Sequence, residues 1–443
     1  MPRTALPRLF FARNTASIPV KGLGNPTKVP LDEFVAANCP SLFKEYESPW
    51  WLFNGHLQTL YCVLGDFSKI DKVEYDRTFL RTTDGGTIGL DFTPSPSERI
   101  LPNDTPIVVV LHGLTGGSHE SYVRSILAPA CSPVEDGGLG YRAVVVNFRG
   151  CAGVPLTTPQ LYSAGTTCDL VVALMHISKL YPSAPLLGVA FSLGANVLVR
   201  YLAEEGSRSR LTSACIMACP WNLVANSSRL ESNFFRRNIY SRGMAQNLTT
   251  VVQRHLDTLA RFPDSPLSRA FPRFLESGEF TLANYDDMVA CVAGGPYPPF
   301  PFETVLHYYA WASTHEVLAD VTIPLLALNA DDDPMVQVLP IDKGVDNLSP
   351  SVVFALTTGG GHLGWFEKGS YWGHSKRWVS KPVIEWLRAT GKDMVISPSQ
   401  ARKLIEVDGY LMEEGRDTLG CQVVEGGEHI IGVEGEEGLF AGL

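Results

Sequence analysis

The chain reads as an α/β protein with a mostly parallel central sheet, helices on both faces and a helical lid insertion late in the sheet. Three observations predict this. Short continuous apolar runs recur at 107–111, 143–147, 186–191, 214–218, 324–329 and 352–356. Several are rich in Val and Ile, as expected of strands buried on both faces. Helix-like stretches at 119–130, 164–181, 193–205 and 375–389 lie between them, and strand–helix alternation of this kind builds parallel sheets. The rhythm breaks once, between Ala218 and Pro324. There the chain reads as helical pieces at 230–262, 281–292 and 302–319, broken by Pro and Gly. An insertion over about 221–320 would cover the ends of the strands.

The flanks differ from this core. Residues 1–48 carry Arg3, Arg8, Arg13, Lys21 and Lys28 before the first acid, Asp32, and are interrupted by prolines. They read as an irregular basic segment. The basic stretch also fits organelle targeting, but its prolines oppose an amphipathic helix. The domain is placed at 49–390. It opens on an aromatic stretch at 49–61 (PWWLFNGHLQTLY), followed by a hairpin signal at 74–93 around Asp84-Gly85-Gly86. Residues 391–443, with Glu413-Glu414-Gly415 and a Gly/Glu-rich run over 425–437, read as an acidic, solvated and partly disordered extension.

Composition narrows the function. The chain has 443 residues, 45% hydrophobic and 19% charged, enough for one large core. A net charge of −10 argues against nucleic acid as a partner. No apolar run approaches the roughly 18 residues that span a bilayer. Nine scattered cysteines with no CxxC pair point to reduced thiols in an intracellular protein, not a disulfide framework or a zinc site.

The chemistry sits at three strand ends. Gly188-Val-Ala-Phe-Ser192-Leu-Gly194 follows one apolar run and leads straight into a helix. A sharp strand–Ser–helix turn exposes the hydroxyl as a nucleophile. The bland alternative is a serine cap on an ordinary helix. Ala190 stands where such turns usually carry Gly. The Gly-rich turn His112-Gly113-Leu114-Thr115-Gly116-Gly117 follows an earlier strand. Attack on a carbonyl creates an oxyanion needing two N–H donors, and the backbone amides of Leu114 and Leu193 are assigned to it. His112 reads as structural. After the last run, Thr358-Gly359-Gly360-Gly361-His362 brings an imidazole on a flexible loop, so His362 is the general base. The acid belongs after the preceding strand, where Asp331, Asp332 and Asp333 stand in a row. Asp333 is chosen because Pro334 stiffens the turn behind it, with Asp332 as the alternative. His315 and Asp320 match an H-x4-D pattern linked with acyltransferases and read as structural.

Together these motifs resemble the YheT-like branch of the α/β-hydrolases. That branch includes fungal medium-chain fatty acid ethyl ester synthase/esterases and monoacylglycerol lipase-like and phospholipase-like members. The resemblance runs from about Pro49 to Leu387. It also rests on Gly55-His56-Leu57-Gln58-Thr59 and on Asn147-Phe148-Arg149-Gly150-Cys151. It implies an α/β-hydrolase fold and a Ser192, Asp332 or Asp333, and His362 triad. The expected reaction is hydrolysis of fatty acyl esters through an acyl-enzyme, with transfer to an alcohol in place of water as a second outcome. No metal or organic cofactor is implied. The partners expected are a small acyl ester, water or an alcohol, and peripheral contact with lipid surfaces. Expected locations are the cytoplasm or such a surface. Two rivals stand beside this reading. One is acyl-CoA-dependent transfer, which needs a basic groove for which Arg236, Arg237 and Arg242 are candidates. The other is a non-catalytic lipid-binding role on the same fold. Trp50, Trp51, Phe53, Phe234, Phe235 and Tyr240 are candidates for an acyl tunnel or for ordinary core.

Overall fold

A computed structural model describes residues 4–22, 25–346, 348–371, 376–396 and 400–432. Its centre is six parallel strands made from the six apolar runs: β4 (Ile107–Leu111), β5 (Arg142–Asn147), β6 (Leu186–Phe191), β7 (Ser213–Met217), β8 (Leu325–Ala330) and β9 (Val352–Thr357). Every residue in these strands is buried. Alternate residues face opposite sides, as a pleated strand requires. Val108 and Val110 join the core on one face, and Ile107, Val109 and Leu111 join the core on the other.

Helices cover both faces. Leu31–Asn38, Ser121–Cys131 and Ser380–Arg388 supply one core, and Cys168–Leu180 and Leu193–Glu205 supply the other. The expected helix at 375–389 thus begins later, and residues 372–375 lie outside the described part of the chain. The hairpin forms as read, with β2 (Glu74–Thr82) against β3 (Thr87–Thr93), and β3 pairs antiparallel with β5.

Both flanks depart from expectation. Residues 1–48 are not irregular throughout. Arg8–Phe11, labelled β1, pairs antiparallel with β9, setting Phe10 beside Phe354. The reason is the open edge of β9, whose backbone groups need partners. A short helix, Leu31–Asn38, then packs its Leu31, Phe34 and Val35 into the core.

The C-terminal stretch is likewise ordered where described. Leu404–Val407 (β10), Tyr410–Glu413 (β11) and Arg416–Val424 (β12) extend the sheet beyond β2. His429–Ile431 (β13) also pairs with β2. Composition misleads here because a strand on a solvated face needs only every second side chain to be apolar. Leu411 and Cys421 supply that buried row. The end of the Gly/Glu-rich run, from 433, lies outside the described residues.

The sheet order is β10-β11-β12-β2-β3-β5-β4-β6-β7-β8-β9-β1, with β13 alongside β2. Between β7 and β8 the chain leaves the sheet and forms helices, among them Leu223–Ser232, Arg242–Gln253, Pro266–Ser277 and Val305–Ala312. Two short π-helical turns, Arg237–Ser241 and Asp286–Ala290, interrupt this insertion. Among the described residues no helix is long and apolar enough to cross a membrane. None of the nine cysteines forms a disulfide, and eight are buried.

Candidate active site

Ser192 stands between the end of β6 and the helix Leu193–Glu205, with φ 49° and ψ −120°. A non-glycine residue there is strained and persists only where its surroundings impose it. The surroundings are visible. The Ser192 N–H donates to Met217 O at 2.9 Å, and Ser192 O accepts from Ala195 and Asn196. Gly194 has no alternative residue. A Cβ there would lie 2.4 Å from His112 O and 2.8 Å from Leu111 O. Ala190 is fully buried between β4 and β7, opposite Leu111 and Ile216, so the sheet accommodates its methyl group.

His362 follows β9 on a loop that only glycine can turn. Gly360 has φ 138° and Gly361 φ 57°. A Cβ on Gly361 would approach Gly55 O to 2.3 Å. His362 Nε2 lies 2.8 Å from Ser192 Oγ, and His362 Nδ1 lies 2.7 Å from Asp333 Oδ2. All three residues are at least 95% buried. Asp333 Oδ1 accepts the N–H groups of Met335 at 2.8 Å and Val336 at 3.0 Å, which fixes the carboxylate.

The neighbouring acids point elsewhere. Asp332 Oδ1 accepts from Gly361 N–H at 2.9 Å, and Asp331 pairs with Arg8 at 3.1 Å.

The stretch from Gly55 to Thr59 clamps the same loop. Thr59 Oγ1 accepts from His362 N–H at 2.8 Å and donates to Gly55 O at 2.7 Å. Gln58 Oε1 accepts from Phe366 N–H at 2.8 Å, while its amide donates to Leu52 O at 3.1 Å. Sequence reading marked this stretch without assigning it a task. The available signal was two adjacent hydrogen-bonding residues, Gln58 and Thr59, in a stretch otherwise dense in apolar and aromatic residues, and the structure buries both.

The Gly-rich turn after β4 is held from both sides. Gly113 N–H donates to Tyr122 OH and Thr115 N–H to Tyr162 OH, each at 3.0 Å. Leu114 lies between them on the pocket wall, with Leu193 also lining it. His112 accepts from Phe148 N–H at Nε2 and faces Gly113 O with Nδ1. Burial pushes its pKa down to about 4, so the ring stays neutral and can accept.

Ser192 and His362 open into a pocket whose cavity volume is about 120 Å³. Its walls are mainly aliphatic: Leu230, Met244, Leu248, Val251 and Leu282 from the insertion, and Met335 after β8. The candidate tunnel aromatics are elsewhere. Trp50 and Phe234 are exposed, Trp51 packs on Tyr61, and Phe235 and Tyr240 pack on His56.

Residues 106–368 match a family profile described as alpha/beta hydrolase fold. The chain belongs to the alpha/beta hydrolase family. Among its relatives, a monoacylglycerol lipase from Saccharomyces cerevisiae is 30% identical, over 76% of this chain and 79% of that protein. The medium-chain fatty acid ethyl ester synthase/esterase 2 of the same yeast is 28% identical, over 82% and 90%. Phospholipase ABHD3 of Homo sapiens is 30% identical, over 80% and 81%.

Two other motifs in this hydrolase hold structure. Arg149 bridges Asp169 through two contacts of 2.8 and 2.7 Å and reaches Asp84 at 2.7 Å, tying the hairpin to the helical layer. His315 is held by Trp221 O and Asn222, while Asp320 is exposed.

Proposed function

We propose that this hydrolase cleaves carboxylic esters of fatty acids by a Ser192–His362–Asp333 triad. The observation that carries the reading is the continuous hydrogen-bonded chain from Asp333 through His362 to Ser192, opening into an aliphatic pocket. His362 Nε2 takes the Ser192 proton as Oγ attacks the ester carbonyl. Asp333 keeps the proton of the neutral ring on Nδ1 and stabilises the imidazolium that forms. The N–H groups of Leu114 and Leu193 receive the oxyanion. His362 then protonates the departing alcohol, leaving an acyl-Ser192 ester. Water completes hydrolysis, and an alcohol at the same position yields a new ester.

The pocket suits a hydrocarbon chain because burying each methylene contributes about 0.8 kcal/mol. The insertion that supplies most of its wall is proposed to act as the lid. Exposed Phe234 and Phe235 on that insertion favour peripheral contact with a lipid surface. Acyl-CoA is a poorer fit, since Arg237, offered for a nucleotide groove, is already paired with Glu231 and Glu279.

The test is hydrolysis of p-nitrophenyl esters from C2 to C16 by wild type and Ser192→Ala, with and without ethanol. The expected result is a loss of at least about 10³-fold in the variant, with ethyl ester formed when ethanol is present. Equal rates for the two proteins at every chain length would overturn the assignment.

A further inference from the structure

One group on the pocket wall has no place in the triad mechanism. Asp286 heads the π-helical turn Asp286–Ala290 and lines the same pocket as Ser192. Its Oδ2 accepts from Tyr309 OH at 2.7 Å. No hydrogen bond engages its other oxygen among the described residues. Burial, followed by the nearby charge of Glu231, raises its pKa to about 7, against the opposing hydrogen bond from Tyr309. Asp286 is half-buried, and a carboxyl taken partly out of water is unfavourable unless its oxygens find partners.

A second, independent observation lies beside it. Tyr285 also lines the pocket and is 2% exposed, and its hydroxyl has no hydrogen-bond partner among the described residues. An unpaired buried hydroxyl on an aliphatic wall is unfavourable unless a ligand completes it. The turn is itself notable, because π-helical turns widen the backbone locally and occur frequently at functional sites.

A substrate hydroxyl has one donor and acceptor lone pairs. It could donate to the open oxygen of Asp286 and accept from Tyr285 OH. A saturated hydrocarbon leaves both unpaired. We infer that Asp286 and Tyr285 form a polar subsite in the acyl-ester pocket that selects esters carrying a free hydroxyl group. Tyr309 is a positioning residue that holds the carboxyl. The inference rests on the ester-hydrolase reading and adds the chemical class of ester.

The hydroxyl could sit on the alcohol part or at the far end of the acyl chain, and the substrates distinguish these. Hydrolysis of 1-decanoylglycerol, ethyl 10-hydroxydecanoate and ethyl decanoate is compared for wild type, Asp286→Leu, Tyr285→Phe and Ser192→Ala. Labelling of Ser192 by a fluorophosphonate confirms that each of the first three is folded. The expected result is that Asp286→Leu lowers the kcat/KM ratio of one hydroxylated ester to ethyl decanoate by at least about tenfold. Tyr285→Phe should lower the same ratio in the same direction. Should Asp286→Leu fail to label, Tyr285→Phe carries the test alone, since it removes only one unpaired oxygen. Ratios within about twofold of wild type for both hydroxylated esters, with hydrolysis still dependent on Ser192, overturn the subsite and leave the hydrolase reading standing. Wild-type rates equal to those of Ser192→Ala on all three esters overturn both.

Discussion

Asp332 accepts a hydrogen bond from Gly361 N–H at 2.9 Å, one residue before the imidazole that its neighbour Asp333 holds at 2.7 Å. Two adjacent carboxylates thus share one loop, one gripping its backbone and the other its side chain. They should separate in kinetics. Asp333→Asn leaves the shape intact but favours the wrong His362 tautomer, so kcat is expected to fall by about 10⁴-fold. Asp332→Asn keeps an acceptor for Gly361 and is expected to lose no more than about tenfold. Steady-state kinetics on a p-nitrophenyl ester decides it, and similar losses in the two variants would refute the assignment of Asp333.

The clamp from Thr59 makes a second prediction. Thr59→Ala leaves the buried His362 N–H without its acceptor, at a cost of about 1–3 kcal/mol. Activity should fall and Thr59→Ser should restore most of it, because Oγ returns. If Thr59→Ala and Thr59→Ser behave alike in turnover and thermal unfolding, the hydrogen bond is not what matters.

Gly194→Ala tests the elbow. Its Cβ would meet the carbonyls of His112 and Leu111, which belong to the strand end and cannot swing away. Overpacking of this kind destabilises by about 1–3 kcal/mol, and the backbone origin of the clash places the variant at the upper end. Chemical denaturation measures it, and an unchanged midpoint would contradict the packing described.

A pH experiment isolates Asp286. An unfolded aspartate titrates near 4, whereas burial raises the folded one to about 7. Between these values the folded chain keeps a proton that the unfolded chain releases. Wild type therefore loses this contribution as pH rises from about 4 to 7. Asp286→Asn cannot ionise in either state and escapes the loss. Its stability relative to wild type should rise by on the order of 2 kcal/mol between pH 5 and pH 8. Buried His112 and His176, each lowered to about 4, act in the opposite direction but cancel between the two proteins. A difference that is flat or falls over this range would show that Asp286 is ionised at neutral pH.

What the sequence determined by itself was local. Six apolar runs became the six parallel strands because a strand buried on both faces admits few other residues. Ser192 and His362 were legible for a related reason: the small residues that sharp turns require stand beside them in the chain. The structure alone decided which acid meets His362, since three consecutive aspartates in a turn project in three directions. It also decided where the flanks go. Arg8–Phe11 finds its partner more than three hundred residues away, on the open edge of β9. The C-terminal strands likewise dock on β2, on pairings that composition does not encode. The pocket wall belongs to the same class. Asp286 lies among unremarkable helical residues in sequence, and only the packing of the insertion over the strand ends brings it to the pocket that holds Ser192.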